Sequence, residues 1–173
     1  MKAALFQVDA FTRQRFAGNP AAVVALSGWP PDALLQAIAT ENNLSETAFF
    51  VPTPPGFALR WFTPSCEVDL CGYATLACAY GFFQHLGWPD THVVFHTRSG
   101  ELNATRQDRR IVMDFPASRA APCALSPELA AGLGLRPMEV LATARDYMAI
   151  YDDARSMRAL RPDFAALAGL DRA

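Results

Sequence analysis

Three short stretches hold the side chains best suited to moving a proton or holding an anion. In Ser45-Glu46-Thr47 a carboxylate stands between two hydroxyls and just ahead of Phe49 and Phe50, where burial tunes a carboxyl for acid/base work. A glutamate at a helix-to-strand junction is as a rule solvated or capping, so its surroundings leave both readings open. In Cys71-Gly72-Tyr73 the residues stand at the mouth of a predicted helix, and unpaired amides at such an end attract anions and stabilise thiolates. The plain alternatives are a small buried hydrophobe for Cys71 and a packing aromatic for Tyr73. Gly72 lets a ligand approach the backbone closely, or simply turns the chain. Asn19, in Gly18-Asn19-Pro20, either contacts a ligand or builds a turn.

Other chemistries find no matching pattern. His92 and His96 are four residues apart, which suits a shared metal on a helix, but on the predicted strand they lie ~13 Å apart. The four cysteines, Cys66, Cys71, Cys78 and Cys123, form no CxxC pair and no zinc spacing with the three histidines, so no metal is expected. Neither a Gly-x-Ser-x-Gly turn nor a phosphate loop is present. A net charge of −2 over 173 residues gives no electrostatic case for nucleic acid or an anionic membrane. Small molecules or protein surfaces are the expected partners. Gln7 and Asp9 interrupt the N-terminal stretch before a signal-peptide core forms, and the thiols are expected to be reduced in a cytoplasmic protein.

The elements that must position these residues can be read in order. A strand is expected from Ala3 to Thr12, a turn at Phe16-Ala17-Gly18-Asn19-Pro20, and a short buried strand from Ala21 to Leu26. Pro30 and Pro31 open a helix to about Asn42 with Leu34, Leu35 and Ile38 on one face. Asn42 to Thr47 is a polar stop. Ala48 to Val51, ended by Pro52, and Phe57 to Phe62 then form a hairpin.

The residues from Trp61 to Tyr80 read as a strand, a polar turn and a helix apolar on all sides. Such a helix is a membrane span or the centre of a core, and Gly87, Pro89 and Asp90 end the run short of the ~20 residues a span needs. Three strands follow as an antiparallel meander, at His92 to Thr97, Glu101 to Arg106 and Arg109 to Phe115. Phe115 to Pro122 is a connector with two prolines. Beyond it a short helix capped by Ser126-Pro127-Glu128, one or two strands between Val140 and Tyr151, and a final helix from Pro162 to Leu170 are expected. The fold class is α+β, a mixed and mostly antiparallel sheet wrapped around one apolar helix. Its lobe covers residues 1–116, with the connector and an incomplete second lobe in 117–173.

Gln7 to Thr12, Phe16 to Val24, Asn43 to Phe49, Arg60 to Pro64 and Glu67 to Ala77 together resemble the phenazine-biosynthesis PhzF family. The resemblance implies the diaminopimelate epimerase-like fold, in which two similar lobes each wrap a sheet around a central helix and the active site lies between them. It implies isomerisation of a small carboxylate by general acid/base action, without cofactor. Glu46 matches the family's catalytic glutamate, while Asn19, Ser45 and the Gly72-Tyr73 amides match positions lining the substrate pocket. The site so implied gives proton transfer to Glu46 and Tyr73, and substrate binding to Asn19, Ser45, Gly72 and Cys71.

The sequence departs from the family pattern in two places. Where the family reads Cys-Gly-His-Ala-Thr, this chain has Tyr73, and a phenol of ordinary pKa ~10 does not serve as a base near neutral pH as histidine does. The family's second lobe also continues beyond residue 173, so a shortened relative or part of a longer product is expected, with self-association as a dimer covering the apolar surface. A member that binds a ligand or partner without turnover is the alternative function. A cysteine-based racemase would need a facing thiol, for which Cys123 is the candidate outside the first lobe.

Overall fold

The structure is a computed structural model and describes residues 2–172. The chain forms two compact units, Met1–Phe115 and Pro116–Ala173, the first of which holds Asn19, Ser45, Glu46, Cys71, Gly72 and Tyr73.

In the first unit β1 (Ala4–Ala10) and β2 (Asn19–Ala25) pair antiparallel, with Ala10 opposite Asn19. A Cβ at Gly18 would lie 2.4 Å from the Ala10 carbonyl oxygen, so glycine alone lets the chain come round this closely into Asn19. Next comes α1 (Asp32–Asn42), which ends at Asn43 in the left-handed region. Strand β3 (Thr47–Thr53) runs parallel to β2, and β4 (Gly56–Phe62) turns back along it. The short β5 (Glu67–Val68) pairs with β4 and leads into α2 (Gly72–Gln84). Strands β6 (His92–Thr97), β7 (Gly100–Gln107) and β8 (Arg110–Asp114) form the meander, with β6 parallel to β4.

The sheet order is β1-β2-β3-β4-β6-β7-β8 with β5 beside β4, and it curls around α2. Small residues of the helix, Ala74, Ala77, Cys78 and Gly81, are buried and let strands approach. Phe82 fills the remaining space, with ring centroids 4.6 Å from Phe50, 4.3 Å from Phe57 and 5.8 Å from Phe95. Truncation of such a ring to alanine costs about 3–5 kcal/mol. Strand β3 is apolar on both sides because it serves two cores. Ala48 and Phe50 face α2, whereas Phe49 and Val51 pack with Leu35 and Ala39 of α1.

The second unit contains β9 (Ala121–Pro122), β10 (Glu139–Ala142) and β11 (Tyr147–Ile150) in one antiparallel sheet. Helix α3 (Pro127–Leu133) is capped by Ser126, whose side chain accepts from the Leu129 amide. Two short helices follow, α4 (Ala154–Ala159) and α5 (Phe164–Leu167).

The α+β class and the mixed sheet wrapped round an apolar helix agree with expectation, and several details differ. Leu34 is 42% exposed, because the buried stripe of α1 runs through Leu35 and Ala39, four apart. Strand β3 continues through Pro52, which pairs with Phe57. The expected final helix is confined to α5, started by Asp163, which accepts from the Ala165 and Ala166 amides. Helix α4 and strands β5 and β9 are additions, β9 at the end of the expected connector, and each is too short to show a period.

The sheet stops short of closing on itself. Between its edge strands β1 and β8 runs an open groove of about 1050 Å³, floored by Leu76, Ala77 and Tyr80 of α2 and flanked by Arg13, Arg15, Arg109 and Arg110. Among the described residues no helix is long and apolar enough to cross a membrane.

Candidate functional site

Glu46 owes its position to the way α1 hands over to β3. Asn43, at φ 50°, ends the helix with its amide donating to the Ala39 carbonyl at 3.2 Å, and asparagine tolerates that conformation better than most residues. Asn42 then clips the turn to the strand, its side-chain amide donating to Thr47 Oγ1 at 3.1 Å. Glu46 continues the alternation of Ala48 and Phe50 and so faces α2. Its backbone carbonyl accepts from the Ala22 amide at 3.3 Å, which ties it to β2. Asn19 heads that same strand, and because β2 and β3 are parallel with Ala22 opposite Thr47, Asn19 and Glu46 share one end of the sheet.

The partner from the other side is the mouth of α2. Cys71 is its N-cap in an extended conformation, and its carbonyl accepts from both the Thr75 amide at 3.2 Å and Thr75 Oγ1 at 2.6 Å. The approach to this cap is held by charge. Glu67 takes a fork from Arg60 at 2.7 and 2.8 Å and a further contact from Arg98 at 2.8 Å. Ser99 Oγ donates to the Asp69 carbonyl at 2.8 Å. With the cap fixed, Tyr73 in the first turn reaches across and its hydroxyl donates to Glu46 Oε2.

Glu46 and Tyr73 are therefore direct partners, half-buried together. Burial first, and then the Glu46 carboxylate, push the phenol of Tyr73 well above its ordinary value, while the hydroxyl of Ser45 acts on the phenol oxygen in the opposite direction. The thiol of Cys71 is pushed up to about 12, by burial above all and further by Glu46, against the pull of the Ala74 and Tyr73 amides. Of the two readings open for Cys71, the small buried side chain fits the structure and the lowered-pKa thiolate does not. Desolvation outweighs the helix end, and a thiol so placed is neutral at neutral pH. The facing thiol of a cysteine-based racemase would meet a poor partner in Cys71.

Gly72 has ordinary space around its α-carbon, since a Cβ there would meet only Phe115 Cζ at 3.7 Å. The structure thus brings Glu46, Tyr73, Cys71 and Ser45 into one cluster, with Gly72 within it on α2 and Asn19 on the adjoining strand. The groove between β1 and β8 contains none of these six residues. The direct bond between Glu46 and Tyr73 was not legible in advance, because residues 27 positions apart carry no local signal of contact. His92 and His96 have separate neighbours, Asn103 at 2.9 Å and Glu101 at 3.3 Å. Among the described residues no group of three or more His, Cys, Asp or Glu could hold a metal ion. All four cysteines are free.

Comparison with known proteins adds to this geometry. The model of the PhzC-PhzF family, described as phenazine biosynthesis-like protein, matches residues 8–172. An uncharacterized isomerase of Pseudomonas aeruginosa is 51% identical over 98% of this chain, and the chain spans 65% of that relative's length. A PhzF-family crystal structure from Enterococcus faecalis superposes with a TM-score of 0.88 at 41% identity, covering 99% of this chain and 66% of the other. A predicted epimerase of P. aeruginosa superposes with a TM-score of 0.73 at 23% identity, over 99% of this chain and 68% of that one, a likeness of fold alone.

Proposed function

The chain belongs to the phenazine biosynthesis-like PhzC-PhzF family, and from that premise we propose that it is an isomerase- or epimerase-type protein moving a proton on a small carboxylate. Glu46 is the proton carrier. The amides of Gly72 and Tyr73, at the positive end of the α2 dipole, hold the substrate carboxylate. Asn19 and Ser45 shape the pocket, and Cys71 lines it as a neutral thiol. The proposed chemistry is acid/base throughout and calls on no cofactor or metal.

The observation that carries this reading is the hydrogen bond from Tyr73 to Glu46 at the mouth of α2. It fixes one carboxylate oxygen against the helix end, beside two groups, the phenol and the thiol, whose protons are held tightly. Of the three, the Glu46 carboxylate is the group that accepts rather than holds a proton in this contact. A glutamate fixed in this way can take a proton from a substrate carbon and return it. The deciding measurement is deuterium uptake at carbon in a panel of small hydroxy, amino and unsaturated carboxylic acids in deuterated water. Glu46→Gln, which keeps the size and can still accept from Tyr73, is expected to abolish uptake with the fold intact. Undiminished uptake rejects the assignment.

Tyr73 itself favours a second reading, binding without turnover, because a phenol pushed upward is no general base. Tyr73→His separates the two. Activity gained in the variant identifies a binding protein that has lost its chemistry, whereas activity lost identifies a tyrosine recruited into it. Self-association is also proposed for this chain, supported by the exposure of Leu5, Phe11 and Val112 in the first unit. Sedimentation as a monomer at micromolar concentration rejects that part.

A further inference from the structure

Among the described residues, the fully buried side chains that carry a hydroxyl, an amide or a charge are Thr47 and Thr75. Both stand behind the candidate site. Thr47 follows Glu46 in the chain and accepts from Asn42 Nδ2 at 3.1 Å, a bond between two side chains. Thr75, near the start of α2, gives its hydroxyl to the backbone instead. Its Oγ1 donates to the Cys71 carbonyl at 2.6 Å, closer than the helical bond from its own amide to the same oxygen at 3.2 Å. Bonding back to the carbonyl four residues earlier is ordinary for a threonine inside a helix, but here that carbonyl belongs to the N-cap. The Cys71 carbonyl and the Gly72 amide are the two sides of one planar trans peptide. Turning the carbonyl into the helix therefore turns the Gly72 N–H out of its end, and this first amide has no partner within the helix. No side chain caps α2 by a hydrogen bond, so the end is held from within the core.

We propose that Thr75 is a positioning residue, whose hydroxyl aims and polarises the Cys71-Gly72 peptide so that the Gly72 N–H meets the substrate carboxylate. The inference rests on the reading of this helix end as the carboxylate seat. Thr75 is 1% exposed and touches no ligand itself; it acts through Gly72. Two effects add. The second bond to the Cys71 carbonyl fixes the plane of the peptide, which a single helical bond at 3.2 Å holds less closely. A carbonyl that accepts two hydrogen bonds also draws charge through its peptide group and strengthens the N–H as a donor, by ~10–30% per bond. The methyl group of Thr75 fills the core, and the hydroxyl serves the site.

Two variants separate the hydroxyl from the methyl. Thr75→Val keeps the shape and removes the hydroxyl, whereas Thr75→Ser keeps the hydroxyl and removes the methyl. In NMR spectra of the intact chain without ligand, the Cys71 carbonyl and Gly72 amide signals are expected to move in Thr75→Val and to stay near their parental positions in Thr75→Ser. Acetate, titrated at constant ionic strength and followed at the Gly72 amide, is expected to bind about threefold more weakly to Thr75→Val, as a modest loss of donor strength implies. Its binding to Thr75→Ser should match the parent. Urea midpoints should run the other way, because the lost methyl leaves a cavity in Thr75→Ser, so that the less stable variant is the better binder. Affinity that follows stability instead is the mark of a purely structural threonine and overturns the proposal. A parental Gly72 amide that ignores acetate rejects the carboxylate seat and the proposal with it; a parental response that survives undiminished in Thr75→Val overturns the proposal alone.

Discussion

Replacing Arg60 by alanine is expected to loosen the entrance to α2 and to destabilise the whole first unit. Its side chain is 17% exposed and that of Glu67 13%, while Asp32 is 71% exposed. The Glu67 pair therefore dominates, because an exposed pair contributes ~0.2–1 kcal/mol whereas losing one partner of a buried pair costs ~3–5 kcal/mol. Arg98 remains within 2.8 Å of Glu67 and offsets part of the loss. The guanidinium also lies 5.2 Å from the Trp29 ring centroid and 5.1 Å from that of Phe62, contacts that a lysine would not reproduce. Together these give about 2–3 kcal/mol for Arg60→Ala and about 1 kcal/mol for Arg60→Lys. Urea unfolding measures both, and the cycle with Glu67→Gln should show coupling above about 1 kcal/mol. Because β5 leads directly to Cys71, the variant should also alkylate Cys71 faster in the native state. A cost below about 0.5 kcal/mol, or strict additivity in the cycle, would refute the claim that this pair braces the site.

Two further outcomes follow from the same region. The Cys71 thiol is raised from 9.0 to about 12 on folding, so the native state retains a proton that the unfolded chain releases. Its contribution is intact below pH 9 and declines as pH rises from about 9 towards 12, by up to ~1.4 kcal/mol per pH unit. Urea midpoints at pH 8 and pH 10 should differ less in Cys71→Ala than in the parent, and an equal difference argues against the raised thiol. Gly72→Ala should leave stability within about 0.5 kcal/mol, since its Cβ meets ordinary contact only. The same variant should weaken binding of small carboxylates in a calorimetric titration if the amide end of α2 is their seat; unaltered affinity would move that seat elsewhere.

The sequence made the central helix legible because its apolar run has no polar face, and the structure surrounds it with sheet. Glu46 and Tyr73 could each be singled out, Glu46 by its setting among hydroxyls and aromatics and Tyr73 by its place at a helix start. Their mutual bond depends on how β3 and α2 cross, which no local pattern encodes. For Cys71 the sequence left the activated thiol and the buried side chain side by side for a similar reason. A helix N-terminus is visible in sequence, whereas the burial that outweighs it is set by the surrounding core, with Glu46 adding to it. Leu34 belonged to an apolar triplet in sequence, yet the stripe of α1 is fixed by where Val24, Phe49 and Phe62 lie.

The open margin between β1 and β8 governs how the molecule behaves in concentrated solution. An edge strand offers unpaired backbone groups to any neighbouring chain, and here two such edges flank one groove. Arg13, Arg15, Arg109 and Arg110 stand along it as gatekeepers that repel like-charged edges. That protection is electrostatic and shrinks with the Debye length, from ~10 Å at 0.1 M salt to ~3 Å at 1 M. Self-association along this margin should therefore tighten as the salt concentration is raised.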